Sequence, residues 1–408
     1  METYLVGGAV RDKLLGYPSS ENDWVVVGAQ PQELIDQGFT QVGKDFPVFL
    51  HPKTKEEYAL ARTERKTAPG YTGFEFYAAP DVTLEEDLAR RDLSINAIAE
   101  DERGNLVDPF NGQKDIDHRI LRHVSGAFTE DPVRILRVAR FAARYHHLGF
   151  TVADETAELM KSMVDSGEAD HLVAERCWKE LSRALGERNP EVFIQVLRDC
   201  SALARIMPEV DALFGVPQRA DYHPEIDTGI HTLMSLEQAC RLSDSTTVRF
   251  ATLVHDLGKA LTPTAQLPSH KGHETAGIPA VKNLCNRLAV PNEFRELALI
   301  VCEYHLHCHR AQELKPSTMV KTLKKLDAFR RPERFAEFLL CCEADSKGRT
   351  GLEDRDYPSA QYFAGALKAC QKVSVRDLIN KGFEGQALGE ELHKQQIHAV
   401  KVYKDAQQ

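Results

Sequence analysis

The sequence predicts an α+β protein: a small head of mixed α/β or α+β character, followed by an all-helical remainder. Short β-rich runs, Tyr4–Val6, Trp24–Val27, Val48–Leu50 and Tyr58–Ala61, alternate with turns and helical stretches over the first 110 residues. From Asp131 onward strand signals fade. Amphipathic helical periods then dominate, at Val133–Tyr145, Asp154–Val164, Ala174–Leu185, Pro190–Asp199, Thr232–Leu242, Val248–Leu257 and Asn292–Tyr304. A chain of 408 residues holds two to four domains, and breaks fall near Gly149, Phe214–Pro224 and Lys315–Pro316. No apolar run approaches the roughly 20 residues a membrane-spanning helix needs. The N-terminus has no signal-peptide pattern. Nine cysteines include no Cys-x-x-Cys pair, which argues against a disulfide frame or a thiolate zinc site. The expectation is a cytoplasmic protein with no membrane partner and no obligatory protein partner, a monomer or small homo-oligomer.

A net charge of −10 taken alone argues against a nucleic-acid partner. Its distribution is uneven: −7 over residues 1–140, −4 over 141–220, +1 over 221–330 and neutral beyond. Arg119–Arg144 holds six arginines against Glu130 and Asp131, and Arg310–Arg334 holds eight basic residues against three acidic ones. Eight of the sixteen histidines fall between His223 and His309. Chemistry is expected where these local excesses lie. The region 141–220 and the stretch from Arg310 are candidates for nucleic-acid contact.

Gly7-Gly8 follows a predicted strand and precedes a helix over Ala9–Leu15 that Gly16 can end. Paired glycines let backbone N–H groups approach a phosphate, the helix N-terminus adds a favourable dipole, and Arg11 offers a cation. Glu21 and Asp23 stand two apart at the start of the next strand, so both carboxylates reach one Mg²⁺. Glu57 opens a further β-like run. Three carboxylates on adjacent strands suit two-metal phosphoryl transfer. Downstream, Arg90-Arg91 supply guanidinium groups suited to a triphosphate, and Asn96 can position a ribose hydroxyl. Asp131-Pro132 reads as a helix start, and Arg134, Arg137, Arg140 and Arg144 then form one basic face. No acids match them four residues on, so self-repulsion favours a polyanion or nucleotide partner over a solvated face.

The segments GGAVRD, ENDW, RRDLSIN, DPFNG and EDPVRILRVARF, in that order across residues 7–141, resemble the class II nucleotidyltransferase family of bacterial CCA-adding enzymes and poly(A) polymerases. The resemblance implies a polymerase-β-like head and Mg²⁺ held on Glu21 and Asp23. It places Gly8 and Arg11 at the triphosphate, and Arg91, Arg137 and Arg140 on the nucleotide. Glu21 departs from the family's usual aspartate, and its extra methylene displaces the carboxylate by about an ångström. The substrates implied are the tRNA 3′ end, CTP and ATP. Donor and acceptor chemistry supports that choice. Asp131 accepts only from an exocyclic amine and Arg134 donates only to a ring nitrogen, so cytosine and adenine fit where uracil and guanine meet a carbonyl.

In the middle of the chain, His255-Asp256-Leu257-Gly258-Lys259 ends a predicted buried helix, with His231 upstream. His270-x-x-His273, His305 and Asp345 follow. Imidazole with carboxylate suits a first-row transition metal better than Mg²⁺. HDLGK with these neighbours resembles the HD phosphohydrolase superfamily. That resemblance implies a ligand tetrad of His231, His255, Asp256 and Asp345, a divalent transition metal with nickel among the candidates, and a phosphate-holding role for Lys259. It further implies phosphatase, 2′-nucleotidase and 2′,3′-cyclic phosphodiesterase activities. His305, His307 and His309 are as readily incidental.

The organisation expected is a nucleotidyltransferase head at 1–140, a helical neck and body at 141–222, an HD domain at 223–330, and a helical C-terminal region at 331–408 that completes the HD site. Competing readings are an HD phosphohydrolase with a degenerate nucleotide-sensing head, a poly(A) polymerase, and a non-catalytic tRNA-binding protein.

Overall fold

In the strand Asp23–Val27, Val25 and Val26 point to opposite faces, and each joins a separate core. Val25 packs with Val6, Leu88, Ala97 and Ala99, and Val26 with Ala29, Leu34, Phe49 and Leu60. Burial on both faces explains why Trp24-Val-Val-Val reads as a continuous apolar run. The computed structural model describes residues 1–18, 22–42, 48–66 and 74–407, and the chain forms two compact units, Met1–Ile206 and Met207–Gln408.

In the first unit, seven strands form one sheet in the order Thr40–Val42, Val48–Leu50, Glu57–Leu60, Asp23–Val27, Glu2–Val6, Ala99–Glu100 and Leu106–Val107. Asp23–Val27 and Glu57–Leu60 pair in parallel, and the other neighbours in this sheet are antiparallel. The expected strands are present, while the outer two- and three-residue strands are too short to display an alternation. A parallel pairing of Ile120–Leu121 with Thr151–Val152 continues strand structure past Asp131, where the sequence pattern predicts helices alone. The helix Gly8–Leu15 follows the first strand and ends at Gly16, whose φ of +64° is open to glycine. Helices Val133–Tyr145, Asp154–Asp165, Ala174–Leu185 and Pro190–Asp199 match the predicted periods to within a residue.

The second unit is helical among its described residues apart from an isolated bridge between Pro217 and Asp227. Its site rests on Thr228–Leu242, Thr246–Val254, His273–Arg287, Asn292–His309 and Pro332–Lys347. The helix expected to reach Leu257 stops at Val254, and Leu257–Leu261 forms a tighter 3₁₀ turn. That turn packs against the next helix: a Cβ on Gly258 would lie 1.9 Å from the His273 carbonyl oxygen. No helix among the described residues is long and apolar enough to cross a membrane. All nine cysteines are free.

Candidate active sites

A cavity of about 900 Å³ in the first unit gathers most of the predicted head residues: Gly8, Arg11, Asp23, Arg91, Asp131, Arg134, Arg137 and Arg140. The Gly7 backbone, at φ +67°, brings the start of the first helix against Arg91, whose Nη1 would sit 3.0 Å from a Cβ at Gly7. Arg91 is in turn anchored by the fully buried Asp87 at 3.1 Å. Arg11 is buried, donates to Asn96 Oδ1 at 2.5 Å and to Asp12 at 2.8 Å, and lies over the rings of Phe141 and Tyr145. Asn96 therefore positions an arginine, the role its side chain shows here, and holds Asp92 with its amide at 2.9 Å. Asp92 also accepts from Arg137 Nε at 2.7 Å. Burial pushes the Asp92 carboxyl up, but the Arg137 charge and the Asn96 hydrogen bond outweigh it and hold the group well below the usual range.

Register places Glu57 directly opposite Asp23 on the parallel neighbour, so both carboxylates leave the same sheet face at the same level. Both side chains are exposed, and their oxygens are the hard donors that Mg²⁺ prefers. Glu21 lies outside the described residues.

The self-repulsion expected of the arginine face is relieved by carboxylates that other elements bring to Arg137, Arg140 and Arg144. Arg137 pairs with Asp92, Arg140 with Glu180 at 2.6 Å, and Arg144 with Asp12 at 3.5 Å. A search four residues along one helix cannot see carboxylates contributed by distant segments. Arg134 points its two terminal nitrogens at the carbonyls of Ala127 and Arg90, at 2.7 and 2.6 Å. Asp131 accepts from the Val133 N–H at 3.1 Å and pairs with Arg176. Arg176, Lys179, Glu180 and Arg183 all face the cavity, a set missed by sequence reasoning. Their three-to-four-residue spacing on Ala174–Leu185 was the available signal.

In the second unit, His231, His255, Asp256 and Asp345 converge, each 4% exposed or less. His231 Nε2 is 3.1 Å from Asp345 Oδ1, and His255 Nε2 is 3.1 Å from Asp256 Oδ2 and 3.7 Å from Asp345 Oδ2. His231 Nδ1 faces the Gly348 carbonyl at 2.9 Å and Glu225 at 3.0 Å, and His255 Nδ1 faces the Thr252 carbonyl at 2.7 Å. These contacts turn both Nε2 atoms inward. His255 Nε2 and both oxygens of Asp256 are buried without a hydrogen bond. These atoms, with the His231 imidazole and the Asp345 carboxylate beside them, form a set of two imidazoles and two carboxylates that fits a divalent transition metal. Burial raises the Asp345 carboxyl, yet His309 and His255 outweigh it and hold it well below the usual range. Lys259 is buried, 2.6 Å from Asp256 Oδ2 and 2.9 Å from Gln218 Oε1, so its ammonium is committed to the protein. His273 and His305 lie on the other side of Asp256, and His309 bonds Asp345 at 2.6 Å. His307 turns away to Thr322.

Three families match the chain: "Poly A polymerase head domain" over residues 3–122, "Probable RNA and SrmB- binding site of polymerase A" over 149–214, and "HD domain" over 228–331. The multifunctional CCA protein of Teredinibacter turnerae is 63% identical over 407 residues, covering 100% of this chain and 99% of that protein. The chain belongs to the multifunctional CCA protein family. As a member it joins a CCA tRNA nucleotidyltransferase to an HD phosphohydrolase domain. Its fold resembles a CCA-adding enzyme solved with CTP, at 20% identity and TM-score 0.66, covering 98% of this chain and 87% of that one. It also resembles the Thermotoga maritima CCA-adding enzyme complexed with tRNA-CCA, at 19% identity and TM-score 0.65, covering 100% and 92%. At these identities the likeness establishes the CCA-adding enzyme fold alone.

Proposed function

We propose that this multifunctional CCA protein adds and repairs the 3′-terminal CCA of tRNA from CTP and ATP without a nucleic-acid template. One observation carries the reading: a single cavity brings the Gly7-Gly8 turn, Asp23, Arg91 and the Asp131–Arg140 helix start together. Glu21 and Asp23, with Glu57 as a third carboxylate, would hold Mg²⁺, and that ion would supply activation of the attacking hydroxyl and charge neutralisation for the leaving pyrophosphate. The turn at Gly8 and the guanidinium groups of Arg11 and Arg91 bind triphosphate oxygens. Arg137 and Arg140 orient the nucleotide, and Asp131 with Arg134 reads the base edge. The tRNA 3′ end enters the same cavity. The test is a tRNA lacking its 3′ CCA, supplied with CTP, ATP and Mg²⁺. Lengthening by the missing nucleotides in the natural protein, absent in Asp23→Ala, supports the assignment; lengthening in both contradicts it.

The second unit is read as a separate metal-dependent site for phosphatase, 2′-nucleotidase and 2′,3′-cyclic phosphodiesterase chemistry, with a transition metal such as Ni²⁺ on His231, His255, Asp256 and Asp345. His255→Ala abolishes that hydrolysis and spares CTP addition; loss of both refutes independent sites. We assign the head to 1–140, the neck and body to 141–222, the HD domain to 223–330 and its completing helices to 331–408. The working compartment is the cytoplasm, where tRNA lacking its CCA end and nucleoside triphosphates meet.

A further inference from the structure

The helix Pro316–Lys325 turns Met319, Val320, Thr322 and Leu323 inward, which leaves Lys321, Lys324 and Lys325 exposed on its other side. Steps of three and four residues make Lys321 a neighbour of both other ammonium groups. His393, from the helix Gly385–Asp405, joins them, and the four side chains line a cavity of about 500 Å³ with no acidic residue in its wall. Lys404 ties the second helix to the segment leading into the first, donating to the carbonyls of Gln312 and Leu314 at 2.8 and 3.1 Å. Lys324 Nζ lies 3.1 Å from His393 Nδ1. An ammonium only donates, so Nδ1 accepts and the ring keeps its proton on Nε2 as a further donor. Burial and the Lys324 charge both hold the ring below the usual histidine value, in keeping with a neutral imidazole.

Among the described residues none of these three lysines forms an ion pair. The arginines that follow them do: Arg330 with Asp327 at 2.7 Å, Arg331 with Glu296, and Arg334 with Glu296 at 2.9 Å. The helix C-terminus accounts for two of the lysines, since Lys324 and Lys325 stand in its last turn and oppose its dipole. It does not account for Lys321, a turn earlier, nor for the convergence of all three on one cavity, where like charges at this spacing repel. An anion among them relieves that repulsion. Exposure decides which anion. A single exposed ion pair contributes only about 0–1 kcal/mol, so solvated lysines hold a small anion poorly. A chain of phosphates gains at every contact, because each one releases condensed counterions.

We propose that Lys321, Lys324, Lys325 and His393 form a docking site in the second unit for the backbone phosphates of tRNA, built from residues other than those of the head cavity. The proposal rests on the tRNA reading above and names a second place where the chain grips that substrate. Lysines act there as point charges on phosphate and read no base edge. Binding at this site is therefore independent of sequence and of whether the 3′ CCA is present.

The test measures binding of the full chain to labelled tRNA, with and without its 3′ CCA, by fluorescence anisotropy as salt rises from about 50 to 200 mM. In the double variant Lys321→Gln/Lys325→Gln the slope of log affinity against log salt should shrink by about 0.7–0.9 for each lost contact. Affinity at the low-salt end should fall about tenfold or more for both tRNAs. Lys321→Arg/Lys325→Arg should keep the slope, since the charge remains. In the unmutated chain, bound tRNA should slow acylation of Lys321, Lys324 and Lys325 by an N-hydroxysuccinimide ester, a readout independent of how the variants fold. An unchanged slope in the glutamine variant, or no protection of these lysines, overturns the site and leaves CCA addition standing. A loss confined to tRNA lacking CCA assigns the effect to the head and also overturns it. Inorganic phosphate alone protecting the same lysines as fully as tRNA marks a small-anion site and overturns the RNA assignment. A natural chain that neither binds nor extends the tRNA overturns both this proposal and the reading on which it rests.

Discussion

Arg176 meets Asp131 through two bonds, Nη1 to Oδ1 at 3.0 Å and Nη2 to Oδ2 at 2.6 Å. With the Val133 N–H also on Oδ1, the carboxylate is fixed in orientation while Oδ2 keeps a lone pair for another donor. An arginine from a different helix thus sets the angle of the group proposed to read the base. Charge-assisted hydrogen bonds of this kind contribute about 1.5–3 kcal/mol. Arg176→Ala is therefore expected to lower kcat/KM for both CTP and ATP by about tenfold or more, and Arg176→Lys to recover only part of it. Steady-state kinetics on a tRNA lacking CCA measure this; unchanged kinetics would show that Asp131 is oriented by other means.

Asp131→Asn tests the base-edge argument. An amide both accepts and donates, so it tolerates the uracil carbonyl that a carboxylate repels. The ratio of UTP to CTP incorporation should rise at least about tenfold, the equivalent of about 1.4 kcal/mol of discrimination. A ratio no different from that of the natural protein removes Asp131 from base selection.

Asp92 links pH to the stability of the first unit. Burial alone would raise its carboxyl, and Arg137 with Asn96 lowers it on balance. A group bound less tightly to its proton in the folded chain stabilises fully above the ordinary aspartate range, near about pH 4, and loses that contribution as pH falls below it. Asp92→Asn should cost about 2–3 kcal/mol at neutral pH, somewhat less than a fully buried pair because Arg137 is 36% exposed. Denaturant melts should show the gap from the natural protein narrowing as pH falls from 5 toward 3. A constant gap would mean the carboxylate's charge contributes nothing.

Gly258→Ala should damage the second unit through its backbone. The added Cβ would sit 1.9 Å from one carbonyl oxygen and 2.7 Å from the Gly277 nitrogen, neither of which can swing aside like a side chain. Destabilisation of about 3 kcal/mol or more is expected, with loss of metal binding and hydrolysis while CTP addition persists. Thermal unfolding and the two activity assays check it; native-like metal binding would show that the turn can relax.

Much of the fold was legible because it is written in local pattern. The helix Val133–Tyr145 coincides with its predicted span, and Gly7-Gly8 and Gly16 bracket the first helix as their backbone freedom suggests. What escaped depends on partners far away in sequence. Asp108 of DPFNG accepts from the N–H groups of Gly112 and Gln113 at 2.7 and 2.9 Å, and Gly112 packs on the Ser94 carbonyl. That motif is a brace under the Arg91–Asn96 turn, which its composition cannot reveal. The partners of Arg140 and Asp131 come from a helix some 40 residues on. His305 read as readily incidental, and His273 carried no assigned role, until folding set both beside one carboxylate oxygen of Asp256. Within Arg310–Arg334, Arg330 pairs with Asp327 and Arg331 with Glu296, while Lys321, Lys324 and Lys325 line a cavity with His393.

The pairing of the cavity arginines bears on how the head turns over. Because Arg137 and Arg140 already hold carboxylates, a nucleotide oriented by them as proposed competes with those carboxylates instead of filling a vacant positive well. Competition of this kind shallows the binding minimum and quickens release. Rapid exchange suits a polymerising site that changes its monomer from one base to another within three additions, where a tightly held first nucleotide would stall the second kind.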